Sequence, residues 1–235
     1  MTRLTFAIVA AAFLTLGAGQ AHAGTTEQAT TAYQRGDYPL ALQLYRGLAD
    51  EGEPMAFSIL GLMYASGQGV PQNFTEAARW YRLAAEQGIA VSQASLAGLY
   101  FAGKGVPRDV MESIRWYRAA ADQGDASAQF NLASIYESGD GVEPDYGEAI
   151  YWFRRAAILG NPSARYSLAS MYEAGRGAAQ DYVRAYMWLD FASSTGWKLA
   201  VNAKNKLAKR MTTDQIVQAR QMYLSCLENS FQLCD

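Results

Sequence analysis

Histidine is nearly missing from this chain. Its 235 residues hold one, His22, beside two cysteines and six prolines. Histidine is the commonest general base near neutral pH and the commonest protein metal ligand, so its scarcity removes whole classes of chemistry. A His-dependent nucleophile triad cannot be built away from residue 22, and two cysteines alone cannot form a Cys/His zinc cluster. A phosphate loop is also lacking, since Lys104 sits in Ala-Gly-Lys-Gly without Gly-x4-Gly-Lys-Ser/Thr or a preceding strand. Charge is sparse as well, at 18% of residues, with 20 basic against 22 acidic side chains. Such a balance gives no reason to expect a nucleic-acid partner.

Long apolar runs are absent beyond the first residues. The start, MTRLTFAIVAAAFLTLGAGQAHAG, has a positive charge at Arg3, an apolar run from Leu4 to Leu16 and the small-residue pattern Ala21-His22-Ala23. That order reads as a cleavable signal peptide over residues 1–23, with Gly24 the first mature residue. The apolar run is shorter than the ~20 residues of a membrane-spanning helix, and no later segment approaches that length. The expectation is an exported chain without a transmembrane segment, most simply in a bacterial periplasm. Cleavage would remove His22 and also Arg3, which lowers the 20 basic residues to 19 against 22 acidic. In an oxidising compartment Cys226 and Cys234 are candidates for a disulfide, the alternatives being two free thiols or a bridge to another chain. Eight residues of unbroken helix would hold them roughly 12 Å apart, beyond bridging distance, so an intramolecular bond requires a helix break near Asn229-Ser230.

What the chain has in quantity is repetition. Gly67, Gly103, Gly139 and Gly175 stand 36 residues apart, and Gly69, Gly105, Gly141 and Gly177 keep step with them. The same period links Leu60, Leu96, Leu132 and Leu168; Tyr64, Tyr100, Tyr136 and Tyr172; and Trp80, Trp116, Trp152 and Trp188. Within one unit, Ala56, Ile59, Leu60, Met63 and Tyr64 form a core-facing helical stripe. The segment SGQGVPQ ends that helix, because glycine tolerates the left-handed cap and Pro71 cannot sit inside a continuing helix. A second helix opens with Asn73-x-x-Glu76, a capping-box pattern repeated at Asp109 and Asp145. It buries Ala77, Trp80, Tyr81 and Ala84 and stops near Gly88. A lone helical hairpin cannot cover such faces, so the units must stack.

The pattern A-x3-L-x3-Y-x2-G-x-G-V, followed by N/D-x3-A-x2-W-Y-x2-A-A-x2-G, resembles the Sel-1-like repeat, a loop-extended relative of the tetratricopeptide repeat. The likeness is strong from Gly52 to Gly196, looser from Ala29 to Gly52, and extends to Arg210-Met211-Thr212-Thr213-Asp214-Gln215-Ile216, similar to a tail of exported bacterial members. It implies an all-α, right-handed superhelical solenoid of antiparallel helix pairs. The expected organisation is an N-terminal helix pair over 24–52, four repeats over 53–196 and capping helices over 197–235. Ser92 departs from the alanine of the other units, Glu143-Pro144 shifts the loop proline, and Arg184 replaces the capping glutamate.

The register of the tetratricopeptide relatives implies a concave groove lined by the first helix of each unit. It places Met55, Ser58, Leu62 and Ala65 there, then Val91, Ala94, Gly98 and Phe101, with Ser127, Phe130, Ser134 and Glu137, and finally Ser163, Tyr166, Ser170 and Glu173. Phe101, Phe130 and Tyr166 are the candidate partner-binding anchors, with Glu137, Arg165 and Glu173 supplying polarity. The plainer alternative is that Phe130 and Tyr166 complete packing between repeats. The recurring tryptophans read as core, and Lys204, Lys206, Lys209 and Arg210 as a solvated helix face, the alternative being a basic patch for an acidic partner or anionic lipid.

The resemblance implies an adaptor, so the expected function is a non-enzymatic, cofactor-free scaffold that binds a periplasmic or envelope protein: a sensor, a secretion component or an assembly factor. Two alternatives come from other classes. One is an exported hydrolase of cell wall or β-lactam, since cysteine-rich relatives have been linked to penicillin binding and hydrolysis. It would use Glu137 and Glu173 as paired carboxylates. The other is a polysaccharide-binding module using the groove aromatics.

Overall fold

The computed structural model describes residues 24–194, 196–229 and 234, and among these every regular element is a helix. Residues 1–23, where a signal peptide is expected, lie outside the described residues, and His22 with them. Helix α1 covers residues 24–34. It is followed by α2 (Tyr38–Asp50), α3 (Pro54–Ser66), α4 (Phe74–Glu86), α5 (Ala90–Ala102), α6 (Val110–Asp122), α7 (Ala126–Ser138), α8 (Tyr146–Ile158), α9 (Pro162–Ala174), α10 (Tyr182–Ser193), α11 (Lys198–Ala208) and α12 (Thr213–Glu228). The chain forms two compact units, one ending at Asp109 and one beginning at Val110. Inside the first unit α2 to α5 pack in sequence, and inside the second α6 to α11 do; in addition α3 meets α5 and α10 meets α12. This mainly sequential packing is that of a helical repeat solenoid.

The core is made at the repeating positions. Leu60, Leu96, Leu132 and Leu168 are fully buried, and so are Ala84, Ala120, Ala156 and Ala192, where one helix comes close to the next. Trp116, Trp152 and Trp188 are buried too, as the period predicts, whereas Trp80, in the first repeat, is only partly buried. Ser92, the polar intruder at an alanine position, is buried and meets the Ser58 hydroxyl at 2.8 Å. A buried hydroxyl with a partner avoids the desolvation cost of an orphan.

The two loop glycines have different tasks. Gly67, Gly103, Gly139 and Gly175 close the first helices in the left-handed conformation, with φ between 64° and 72°. The second glycine faces the preceding repeat. A Cβ on Gly105 would lie 2.2 Å from the Phe74 carbonyl carbon and 2.5 Å from the Thr75 nitrogen, and one on Gly177 would lie 2.5 Å from the Tyr146 carbonyl oxygen. That approach sets how near one repeat can come to the next.

Polar contacts recur with the same period. Arg46, Arg82, Arg118 and Arg154 donate to the hydroxyls of Tyr64, Tyr100, Tyr136 and Tyr172 at 2.7, 2.5, 2.7 and 2.7 Å. Each bond ties the second helix of one pair to the first helix of the next. At the following position the rung becomes Lys204 to Asp190, at 2.7 Å.

The capping boxes expected at Asn73 and Asp145 form only in half. Asn73 accepts from the Thr75 and Glu76 N–H groups, and Asp145 from that of Glu148. The glutamates do not reach back, because the Asn73 and Asp145 N–H groups already donate to the Tyr64 and Tyr136 carbonyls, each at 2.9 Å. Glu76 pairs instead with Arg79, and Glu148 accepts from the Trp152 indole. A complete capping box occurs at Thr212 and Gln215, opening α12.

Helix α12 ends at Glu228, with Asn229 as its cap, so the chain breaks where a bond between Cys226 and Cys234 needs it to. The two cysteines form a disulfide with Cα atoms 5.0 Å apart, and both are buried. The Cys226 sulfur lies 3.7 Å from the Met187 sulfur, so the bridge packs against α10.

Two outcomes follow. Gly105→Ala should lose about 2–3 kcal/mol, from a positive φ of 71° and the collision with Phe74. Gly88→Ala, with similar φ but no atom near the added methyl, should lose only about 1–2 kcal/mol. Urea titration compares them, and equal losses would remove the close approach from the account. Closing so short a loop is worth about 2–3 kcal/mol. Reductant should therefore lower the melting temperature of the wild type and leave Cys226→Ser/Cys234→Ser unmoved, whereas a wild-type melt insensitive to reductant would contradict the bond.

Candidate protein-interaction surface

The register positions on the first helices take different characters in the two units. In the first unit Met55, Leu62 and Val91 are apolar and open, at 47%, 40% and 55% exposed, whereas Ser58, expected in the groove, is buried. Helices α3 and α5 are joined beneath them by the Ser58–Ser92 hydrogen bond. Phe101, at the end of α5, is partly buried, with the Arg108 guanidinium 5.5 Å from its ring and Arg108 Nε donating to its carbonyl at 3.1 Å.

In the second unit the equivalents of Met55 and Val91 are Ser127 and Ser163, and those of Leu62 and Gly98 are Ser134 and Ser170. The aromatic positions are engaged. Phe130 leans on Phe153 with ring centres 5.6 Å apart, and Tyr166 on Trp197 at 5.3 Å. Each keeps part of its ring exposed while completing a contact beneath it. Glu137 pairs with Arg176 at 2.9 Å. Glu173 is held by Arg210, which also donates to the Tyr182 hydroxyl. Two members of the basic run 204–210 are thus spent inside the fold, Arg210 here and Lys204 on Asp190.

Arg165 does something other than lend polarity to a groove. Its Nε donates to the Ala157 carbonyl at 3.0 Å and its Nη1 to that of Phe191 at 3.3 Å, with the Phe191 ring 5.3 Å away. Burial pulls its pKa down from the ordinary arginine value, opposed by Tyr223. The same job is done one and two repeats earlier by Gln129, donating to Ala121 at 2.9 Å, and Gln93, donating to Ala85 at 3.1 Å. Phe57 stands at that position in the first repeat, stacked on Trp80. A comparison of residues 93, 129 and 165 would have given this role away. The Arg–Tyr series was equally visible in the period and escapes any reading that follows only apolar and glycine positions.

A concavity of about 390 Å³ opens on the α1–α2 hairpin, lined among others by Glu27, Arg35, Asp37, Leu40 and Leu44. No motif in the sequence marks it. Among the described residues no group of three or more His, Cys, Asp or Glu side chains could hold a metal ion, and no helix is long and apolar enough to cross a membrane.

The geometry has known counterparts. The model of the Sel1 repeat matches residues 58–89, 90–125, 126–161 and 162–196. Among solved structures, c5321, a protective antigen of uropathogenic Escherichia coli with an SLR fold, superposes with a TM-score of 0.78 at 31% identity over 88% of this chain. This chain spans only 46% of that protein. A Sel1 repeat protein from Oxalobacter formigenes gives a TM-score of 0.70 at 34% identity, covering 77% of this chain and 74% of its own. A Klebsiella pneumoniae Sel1 repeat protein, at 22% identity and a TM-score of 0.51, over 80% of this chain and 93% of its own, shares the fold. No curated protein matches the chain. Sel1 repeats are in general non-catalytic modules of protein interaction. With four matched repeats covering more than half of its length, the chain belongs to the Sel1 repeat family.

Proposed function

We propose that this chain is an exported, non-enzymatic scaffold that holds an envelope or periplasmic protein, such as a sensor, a secretion component or an assembly factor, against the first helices of its repeats. The observation that carries the reading is the contrast between repeating and non-repeating positions. Leucine, tyrosine, tryptophan and glycine recur where repeats must stack, while the face of α3 and α5 exposes Met55, Leu62 and Val91 to no purpose of the fold. Apolar side chains side by side on a rigid two-helix floor gain by burial against a partner. Phe101 extends that surface at the end of α5, and Phe130 and Tyr166 offer half-covered rings on the second unit. Glu137 and Glu173 contribute as ion-paired rims rather than as free carboxylates. The buried disulfide supports an oxidising compartment, as the expected signal segment does. A hydrolase using Glu137 and Glu173 would first have to take both from the arginines that hold them.

A photo-crosslinking residue at Val91 in intact cells, with exposed Gln218 of α12 as control, should capture one protein from Val91 alone. With that protein purified, Leu62→Asp/Val91→Asp should weaken binding by about tenfold or more while leaving the melting temperature unchanged. Equal affinity for the variant and the wild type would remove this face from the account.

A further inference from the structure

Helix α8 departs from the helices that match it in the earlier repeats. In α4 and α6 the outward arginine is already paired: Arg79 to Glu76 at 3.0 Å and Arg115 to Glu112 at 2.7 Å, each lying over the adjacent Trp80 or Trp116 ring. The equivalent residue of α8 is Tyr151. Glu148, the matching glutamate, accepts from the Trp152 indole at 2.9 Å and pairs with Arg118 at 3.4 Å. The arginine has moved one turn on, to Arg155.

The helix neighbours that can reach Arg155, three and four residues away on either side, are Tyr151, Trp152, Ile158 and Leu159. None is acidic. Its guanidinium donates to the Tyr151 hydroxyl at 2.8 Å and lies 5.7 Å from the Tyr151 ring centre and 5.3 Å from that of Trp152. Tyr151 in turn stands edge-on to Trp152, with centres 4.8 Å apart. Tyr151 is 49% exposed and Leu159 54%. Residues 151, 155 and 159 therefore make one strip along the helix: an aromatic ring, a cation hydrogen-bonded to that ring's hydroxyl and close to the Trp152 ring, and an aliphatic side chain.

A guanidinium already fixed by ring contacts loses little freedom on binding, and its planar fork matches a carboxylate. Arginine, tyrosine and tryptophan together are the composition of binding hot spots. We propose that the Tyr151–Arg155–Leu159 strip of α8 is a docking site for an acidic segment of a partner protein, which seats a carboxylate on Arg155 and an apolar side chain between Tyr151 and Leu159. The charge of the missing neighbour selects the occupant: the paired sites on α4 and α6 supply their own glutamate, and α8 leaves that place to the partner. The strip shares no residue with the α3–α5 face and stands or falls independently of it.

Random peptides displayed on phage, selected against the folded chain, provide the probe, and the enriched peptides are then measured by fluorescence anisotropy. Peptides that carry Asp or Glu beside Leu or Phe are expected, with affinity falling as salt rises. Arg155→Gln and Tyr151→Ala/Leu159→Ala should each weaken binding about tenfold or more, with circular dichroism melts unchanged, and Arg155→Lys should recover only part of the loss. Selected peptides without acidic bias, or peptides bound equally by Arg155→Gln, would overturn the proposal. A concentration-dependent dimer in sedimentation that Arg155→Gln dissociates would also overturn it, assigning the strip to a second copy of the chain.

Discussion

The stacking of this molecule rests on a glycine with no room for a side chain. At Gly105 the backbone of one repeat comes so near the start of α4 that a methyl group would collide with three backbone atoms, and Gly177 repeats the approach against α8. Both are also in the left-handed region, so one residue type answers two demands, of torsion and of space. The other features of a repeat follow from that spacing. Helices that approach this closely need alanine at the crossing, which is why Ala84, Ala120, Ala156 and Ala192 are fully buried.

Stacking at this distance leaves polar groups to be satisfied between repeats, and the period solves this too. The N–H groups of Asn73, Asp109, Asp145 and Asp181 each donate to the carbonyl of the tyrosine nine residues earlier, closing the loop on itself. The hydroxyl of the same tyrosine accepts from an arginine of the preceding pair. One residue thus fixes the loop within a repeat and the register between repeats. Side chains freed from capping, such as Glu76 and Glu112, go to ion pairs on the surface, which contribute little to stability and can vary.

The faces proposed for binding are those where the period lapses. On the first helices the lapse runs from methionine, leucine and valine in the first unit to serine and glutamate in the second. On the second helices it lies at Tyr151, where a tyrosine replaces an arginine and leaves its glutamate to another partner. Arg165 is a lapse of a different kind, a change of residue with the backbone-bonding role of Gln93 and Gln129 retained. A departure from the repeat therefore indicates function only after its contacts are known.

The sequence by itself determined the helical repeat, its period, the positions of the turns, the buried leucines and alanines and most of the tryptophans, and the condition that α12 must end between Cys226 and Cys234 if the two are to meet. These are legible because they depend on local torsion and on apolar spacing, which a linear chain displays directly. Only the tertiary structure decided which polar side chains are spent and which are free. Glu137, Glu173 and Arg165 look alike in the sequence as groove residues, yet two are held by arginines from 37 or 39 positions on and the third by backbone carbonyls. The same holds for Phe130 and Tyr166, whose rings rest on Phe153 and Trp197. The physical reason is that a side chain's availability depends on partners that the stacking of repeats brings within a few ångströms, and the one-dimensional pattern carries no record of those encounters.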